Sequence, residues 1–223
     1  MTDSGAGATG ADPLVVKELE FLGGMASAGG WRPASTLPEV AFAGRSNVGK
    51  SSLLNALLRR RAAARVSKTP GRTREINFFR INDAFVLVDL PGYGYARIAK
   101  ERRAEWRPLI EGYLSQSPNL RGLVLLLDAR REPTDDDRAM LDFLAERETP
   151  VLVAITKMDK FGNDAGRERV QAIAAALDLD TDQVVPVSAR TGLGRDDLAS
   201  AVMELVLTRG DSGLGTRAET GEP

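Results

Sequence analysis

The chain has 223 residues, 43% of them hydrophobic, and 30 Lys and Arg against 31 Asp and Glu give a net charge of −1; this suits one ordinary domain with a core of its own. It has no cysteine and no histidine, which excludes disulfides, Cys/His zinc sites, thiol nucleophiles and imidazole bases. No apolar run approaches the ~20 residues of a membrane span, and residues 1–13 lack the basic start and apolar stretch of a secretion signal, so a cytoplasmic protein without a membrane partner is expected.

Residues 1–13 are mostly small and polar and are expected to be a disordered tail, as are residues 209–223, leaving a folded domain over 14–208. Leu14, Leu19 and Leu22 have helical spacing, and Gly23-Gly24 is positioned to end that helix. A loop from Pro33 to Pro38 leads into a strand, Glu39–Ala43. Gly44-Arg45-Ser46-Asn47-Val48-Gly49-Lys50-Ser51 then fits G-x-x-x-x-G-K-[ST] at every fixed position, and Ser52–Leu58 reads as the helix that must follow. In such a loop the glycines let backbone N–H groups turn inward on phosphates, the helix N-terminus adds positive potential, Lys50 reaches the β- and γ-phosphates, and the Ser51 hydroxyl is a Mg²⁺ ligand.

Charge is unevenly spread along the next stretch. Residues 59–80 carry Arg59, Arg60, Arg61, Arg65, Lys68, Arg72, Arg74 and Arg80 against Glu75 alone, which favours an anionic polymer as partner over a merely solvated face. Arg61–Glu75, broken by Pro70-Gly71, is expected to be a mobile loop. Ile76–Asn82 and Ala84–Asp89 read as an antiparallel hairpin. Gly92–Arg97 is a glycine-containing loop, followed by a charged helix to about Leu114 that Pro108 is able to kink. Leu123–Leu127 is a strand buried on both faces. Thr134 with Asp137 three residues on is an N-cap pattern for a helix burying Met140, Leu141 and Leu144, within a stretch, 132–148, that is as acidic as 59–80 is basic. Val151–Ile155, a helix Arg167–Leu177, a short strand Val184–Val187 and a helix Asp196–Leu207 complete the order. Strands alternating with helices imply an α/β fold: a mostly parallel six-stranded sheet with one antiparallel edge strand, helices on both faces, and ligand loops at the carboxyl ends of the strands.

Three further motifs fall at such strand ends. Asp89-Leu90-Pro91-Gly92 matches D-x-x-G, in which the acid holds Mg²⁺ through water and the Gly92 N–H meets a γ-phosphate. Thr156-Lys157-Met158-Asp159 is close to the N-K-x-D box of GTP-binding proteins. A carboxylate at Asp159 accepts from both N1–H and the 2-amino group of guanine, whereas adenine has an acceptor at N1 and no 2-amino group; two charge-assisted bonds imply discrimination on the order of hundred- to ten-thousand-fold. Lys157 would lay its stem over the base, and Thr156 stands where Asn is usual. Ser188-Ala189-Arg190 resembles the S-A-[KR] box, whose backbone N–H meets the guanine carbonyl oxygen.

With the motifs in this order, the chain resembles the TrmE-Era-EngA-EngB group of Ras-like P-loop GTPases, and above all the EngB (YihA/YsxC) family of ribosome-assembly GTP-binding proteins. The residues that carry the resemblance are Pro38–Ser52, Lys68–Arg74 with Ile76–Phe79, Asp89–Ala96 and Thr156–Asp159, and Thr for Asn at position 156 is itself usual in that family. The resemblance covers about Leu14 to Val206. It implies GTP and GDP as ligands, Mg²⁺ as cofactor, a precursor of the large ribosomal subunit (rRNA and ribosomal proteins) as partner, a monomer, and an effect on cell division and septation. It makes Thr73 the switch threonine that closes over Mg²⁺ and the γ-phosphate, within a GTP-contacting run of Gly71, Arg72, Thr73, Arg74 and Glu75; a plain surface threonine is the other reading. Ras-like enzymes use a glutamine after D-x-x-G to orient the attacking water; Tyr93 stands there, so unaided hydrolysis is expected at or below the ~10⁻⁴–10⁻³ s⁻¹ of unaided Ras. Asn47 falls where related GTPases hold a potassium ion that acts like an arginine finger, with a loop-bracing asparagine as the alternative. The residues expected to act in catalysis are thus Asn47, Lys50, Thr73 and Gly92. Two rival functions stay open: a non-hydrolysing module in which GTP selects a binding conformation, and an ATP-using phosphotransferase.

Overall fold

The computed structural model describes residues 11–60, 75–93 and 100–208, the side chains of residues 100–107 excepted. The strands are β1 (Leu19–Met25), β2 (Glu39–Gly44), β3 (Ile76–Ile81), β4 (Phe85–Asp89), β5 (Leu120–Asp128), β6 (Val151–Thr156) and β7 (Val184–Pro186). The helices are α1 (Lys50–Leu57), α2 (Lys100–Ser115), α3 (Asp135–Ala145), α4 (Asn163–Ala176) and α5 (Arg195–Leu207). The sheet order is β1-β3-β4-β2-β5-β6-β7. Pairings from β4 through β7 are parallel, so β2, β4, β5, β6 and β7 all end on the same side.

The α/β class holds, with one strand more than the sequence implies. The β3–β4 hairpin forms, turning at Asn82 and Asp83, which both take positive φ. The segment read as a helix from Leu14 to Leu22 instead supplies β1, antiparallel to β3. The strand opposed to the rest, β3, therefore lies inside the sheet rather than at its edge. The physical reason is long-range. The Asn82 side chain accepts from the N–H groups of Lys17 and Glu18 and donates to the Val15 carbonyl, holding 15–18 extended. Those contacts, with the open edge of β3, outweigh three helically spaced leucines. Gly23 and Gly24 sit within the strand, where the Trp31 ring lies so close to Gly23 that a Cβ there would come within 2.5 Å of it.

Each face of the sheet is covered. On one side Leu53, Leu54 and Leu57 of α1 and Leu198, Ala199 and Val202 of α5 pack on Val40, Phe42, Val124 and Ala154. On the other, Leu109, Ile110 and Tyr113 of α2, Met140 and Leu144 of α3 and Ile173 of α4 pack on Ala41, Val88, Leu125 and Ile155. β2 and β4 are buried along their whole length, as continuous apolar runs between two helix layers must be.

The charged runs have structural work in the described residues. Arg59 pairs with Asp12 and Asp196, Arg60 donates to the Val16 and Lys17 carbonyls, and Arg80 pairs with Glu20 and Asp83. Arg61, Arg65, Lys68, Arg72 and Arg74 lie outside the described residues. In the acidic run, Asp135, Asp136 and Asp137 occupy the first turn of α3, where negative charge meets the positive end of the helix dipole. Asp12, assigned by composition to the tail, is bound to Arg195 and to the Leu14 N–H. The rest of the N-terminal tail before residue 11, and the tail after 208, fall outside the described residues.

Candidate nucleotide site

The P-loop leaves the end of β2 and turns into α1. Asn47 (φ 67°) and Gly49 (φ 106°) both take positive φ, a conformation that asparagine and glycine tolerate best. Val48 is buried beneath the loop, in the core shared by α1 and α5. Arg45 bridges to Tyr93: the Ser46 N–H donates to the Tyr93 carbonyl at 2.9 Å and the Tyr93 N–H to the Gly44 carbonyl at 3.2 Å. Gly92 consequently lies against Ser46, where a Cβ would meet its Cα and N at 3.3 Å. Leu90 and Pro91 are buried, with the Leu90 N–H on the Phe42 carbonyl. The D-x-x-G turn is thus laid directly along the P-loop.

Lys50 and Asp89, brought together from the start of α1 and the end of β4, form a close ion pair. Burial pushes the Lys50 ammonium down, to about 7, whereas an opposite charge beside it favours the charged form. Ser51 is half-buried in the same first turn of α1. Among the described residues no group of three or more acidic side chains could hold a metal alone. One hydroxyl and one carboxylate, Ser51 and Asp89, suit Mg²⁺, which takes the rest of its shell from phosphate and water.

The base box is tied to the P-loop by two side chains. The Thr156 hydroxyl is buried, 2.8 Å from the Val48 carbonyl and 3.0 Å from that of Leu127, so the replacement of Asn keeps a direct P-loop contact without water. Lys157, also at positive φ, crosses the loop and donates to the Asn47 carbonyl at 2.7 Å and to Asp128 at 2.8 Å. Met158 is a core residue whose N–H bonds the Val187 carbonyl. Asp159 accepts from the Ser188 hydroxyl at 2.8 Å on Oδ1. Its Oδ2 has Arg190 Nε at 3.0 Å and Lys160 Nζ at 3.4 Å, yet is buried and makes no hydrogen bond of acceptable geometry. The Ser188 bond, against some desolvation, lowers the Asp159 carboxyl, and the two cations add to this. Ala189 is exposed beside it. An ionised carboxylate with a buried oxygen held by two cations but by no hydrogen bond fits a planar donor edge such as guanine N1–H and its 2-amino group.

Of the remaining expected residues, Gly71, Arg72, Thr73 and Arg74 lie outside the described residues. Glu75 sits over Gly24 of β1, which β3 and β4 separate from β2, and is not among the groups gathered at the P-loop.

These strand-end loops have counterparts in known proteins. A family described as 50S ribosome-binding GTPase matches residues 39–157. A probable GTP-binding protein EngB of Gemmatimonas aurantiaca is 64% identical over 193 residues, 86% of this chain and 95% of that one. The chain belongs to the EngB family of P-loop GTPases. An EngB of Desulfatibacillum aliphaticivorans is 42% identical over 86% of this chain and 93% of its own. The crystal structure of a probable EngB covers 77% of this chain and all of that one, with 28% identity and a TM-score of 0.65. Aquifex aeolicus Era bound to GDP and AlF4⁻ reaches a TM-score of 0.60 at 25% identity, over 78% of this chain and 58% of that one. EngB proteins are GTPases, and GTP hydrolysis is the activity of this chain's family.

Within this EngB chain the structure adds residues that motif reading passes over. Asp128, at the end of β5, receives Lys157 and a bidentate Arg130. Burial alone would raise its carboxyl, but these bonds outweigh it and hold it well below the ordinary carboxylate range. Arg169 of α4 donates to the carbonyls of Ala129 and Arg131 and to Glu132, fastening the loop that carries Asp128. Tyr93 is fully buried and its hydroxyl donates to Asp137 at 2.8 Å; burial and that carboxylate raise the phenol well above its usual value. Position after strand ends was the available signal for Asp128. Nothing in the spacing pointed to Arg169 or to the Tyr93–Asp137 pair.

Proposed function

We propose that this chain is a GTP-dependent switch acting on a precursor of the large ribosomal subunit, cytoplasmic and monomeric, with slow intrinsic hydrolysis. The observation that carries the nucleotide reading is Asp159 Oδ2: a buried acceptor, ion-paired to Arg190 and Lys160 but with no hydrogen bond of its own, beside Ser188 and joined through Thr156 and Lys157 to the P-loop. GTPases of this kind generally work with Mg²⁺, whose charge supports phosphoryl transfer. Ser51 directly, Asp89 through water and Thr73 would hold it. Lys50 would leave Asp89 for the β- and γ-phosphates, which frees that carboxylate for its second role. The Gly92 N–H would face the γ-phosphate, and the Ala189 N–H the guanine carbonyl oxygen.

Slow hydrolysis follows from the side chain after Gly92. A water-orienting group must present an available donor or acceptor, whereas the Tyr93 hydroxyl is buried against Asp137. That burial also supports the second reading, a module in which GTP selects a binding conformation without turnover. Phosphate release with and without ribosomal particles separates the two. A potassium ion at Asn47 would supply charge that Tyr93 cannot; equal single-turnover rates in K⁺ and Na⁺ would rule it out.

The partner is supported by the matched family's description, 50S ribosome-binding GTPase, and by Arg61, Arg65, Lys68, Arg72 and Arg74 of the basic stretch 59–80, whose Arg59, Arg60 and Arg80 are engaged within the domain. Its test is co-sedimentation with large-subunit precursors, expected in GTP and reduced in GDP; identical sedimentation in both nucleotides would refute the switch. An influence on cell division and septation would follow from ribosome supply, and depletion should then lower large-subunit levels before septation fails.

A further inference from the structure

We propose that Thr156 makes this site blind to guanine N7, so that the base is read on its N1, 2-amino and O6 positions alone. The inference rests on the guanine reading above and adds which atoms of the base are used. Guanine offers two kinds of partner: donors at N1–H and the 2-amino group, and acceptors at O6 and N7. Asp159, ionised and with one oxygen unbonded, matches the donors. The exposed backbone at Ala189 can donate to O6. Reading N7 requires a further donor.

The side-chain donors of the base box and of Ser188 are directed to protein partners. A threonine hydroxyl has one proton, and that of Thr156 lies between two backbone carbonyls, Val48 at 2.8 Å and Leu127 at 3.0 Å. Thr156 is 4% exposed. Turning its proton toward a base would leave a buried carbonyl with one donor fewer, and exchange of one bond for another gives no net gain. An asparagine at this position has two N–H donors, enough to hold the P-loop carbonyl and reach the base as well. Lys157 directs its ammonium to the Asn47 carbonyl and Asp128, over the P-loop. The Ser188 hydroxyl is given to Asp159. Lys160 and Arg190 lie within 3.0–3.4 Å of Asp159 Oδ2, hence beside the N1 edge, and O6 stands between that edge and N7. Thr156, Lys157 and Ser188, the polar side chains that tie the base box to its neighbours, thus all direct donors away from N7. The threonine hydroxyl instead spends its bond on joining β5, β6 and the P-loop, so it positions the loop rather than selecting the base.

The test is equilibrium competition of GDP and 7-deaza-GDP against a fluorescent GDP on the full chain, with ADP and IDP as controls. A net hydrogen bond is worth roughly 0.5–1.5 kcal/mol, about two- to thirteenfold in affinity. The expected ratio of the two dissociation constants is below about twofold, under the weakest hydrogen bond of that range, and a larger preference for GDP overturns the proposal. Thr156→Val removes the hydroxyl while keeping the shape. Both nucleotides should weaken together in it, because the P-loop anchor is lost; selective weakening of GDP would show that the hydroxyl does reach N7. The native measurement stands even where the variant does not fold. Failure of GDP to outcompete ADP is a separate result that sinks the guanine reading itself, and loss of affinity with IDP reports on Asp159.

Discussion

At Asp159 one carboxylate oxygen accepts a hydrogen bond from the Ser188 hydroxyl and the other is buried without one, so the carboxylate keeps acceptor lone pairs on both oxygens for one planar donor edge. Asp159→Asn replaces an acceptor by an N–H that faces guanine N1–H, and GTP affinity should fall on the order of a hundredfold or more. Xanthosine nucleotides, with an oxygen at C2, should gain affinity in the same variant. Competition binding checks both, and an unchanged GTP affinity would mean that the base is read elsewhere. At this scale the sequence was legible wherever chemistry demands a fixed local spacing: the P-loop, Asp89 to Gly92, and Thr156 to Asp159. It was silent where a side chain answers to a distant partner. Lys157 and Asp128 are 29 positions apart and Tyr93 and Asp137 are 44 apart, separations that carry no periodicity. The absence of glutamine at Tyr93 was visible, whereas the phenol's burial under α3 was not.

Among the elements, two junctions hold the strand ends in place. Between β7 and α5 the chain turns at Gly194 (φ 65°), and a Cβ there would come within 2.1 Å of the Pro186 carbonyl oxygen. Gly194→Ala combines positive φ with a backbone clash and should cost about 2 kcal/mol or more. Because Pro186 is two residues before Ser188, GTP affinity should fall with it; denaturant unfolding and nucleotide titration measure the two losses. At the opposite end of the sheet, Glu39 begins β2 and accepts from Tyr113 at 2.7 Å and Arg32 at 3.4 Å. Burial raises its carboxyl above the ordinary 4.5, with Tyr113 and Arg32 working against the shift. Between the unfolded and the raised folded value, the native state binds more protons than the unfolded one, so this group's contribution to stability falls as pH rises through that window. Glu39→Gln removes the dependence. Its stability relative to the native chain should therefore improve between pH 4 and pH 8, and chemical denaturation across that range showing no relative gain would contradict the burial argument. Elements were legible where an apolar run or a cap was local, as in β2, β5, β6 and the Thr134–Asp137 start of α3. The strand β1 was not legible, because its partners Asn82 and β3 lie more than fifty residues away in the chain.

For the molecule as a whole, the sheet has two apolar cores, and the carboxyl ends of β2, β4, β5, β6 and β7 bring the motifs among the described residues to one side. Each loop there bonds to its neighbour: Ser46 to Tyr93, Thr156 to Val48, Lys157 to Asn47 and Asp159 to Ser188. A ligand held by all of these loops binds the folded chain and not the unfolded one, so its affinity adds directly to stability as RT ln(1 + [L]/Kd). At a hundred times its Kd, GDP should contribute about 2.7 kcal/mol, which for a domain of this size is a rise in Tm of roughly 5–11 °C. ATP at the same concentration should give little, since Asp159 has no matching donors on adenine. In Asp159→Asn the GDP-induced rise should shrink and one with XDP should appear. Lys50→Ala should lose the response to either nucleotide. Thermal unfolding of the three proteins with each nucleotide decides the matter. Equal stabilisation by GDP and ATP in the native chain would leave the loops as a phosphate cradle without a base reader, whereas a GDP response that survives Lys50→Ala would place binding away from the P-loop.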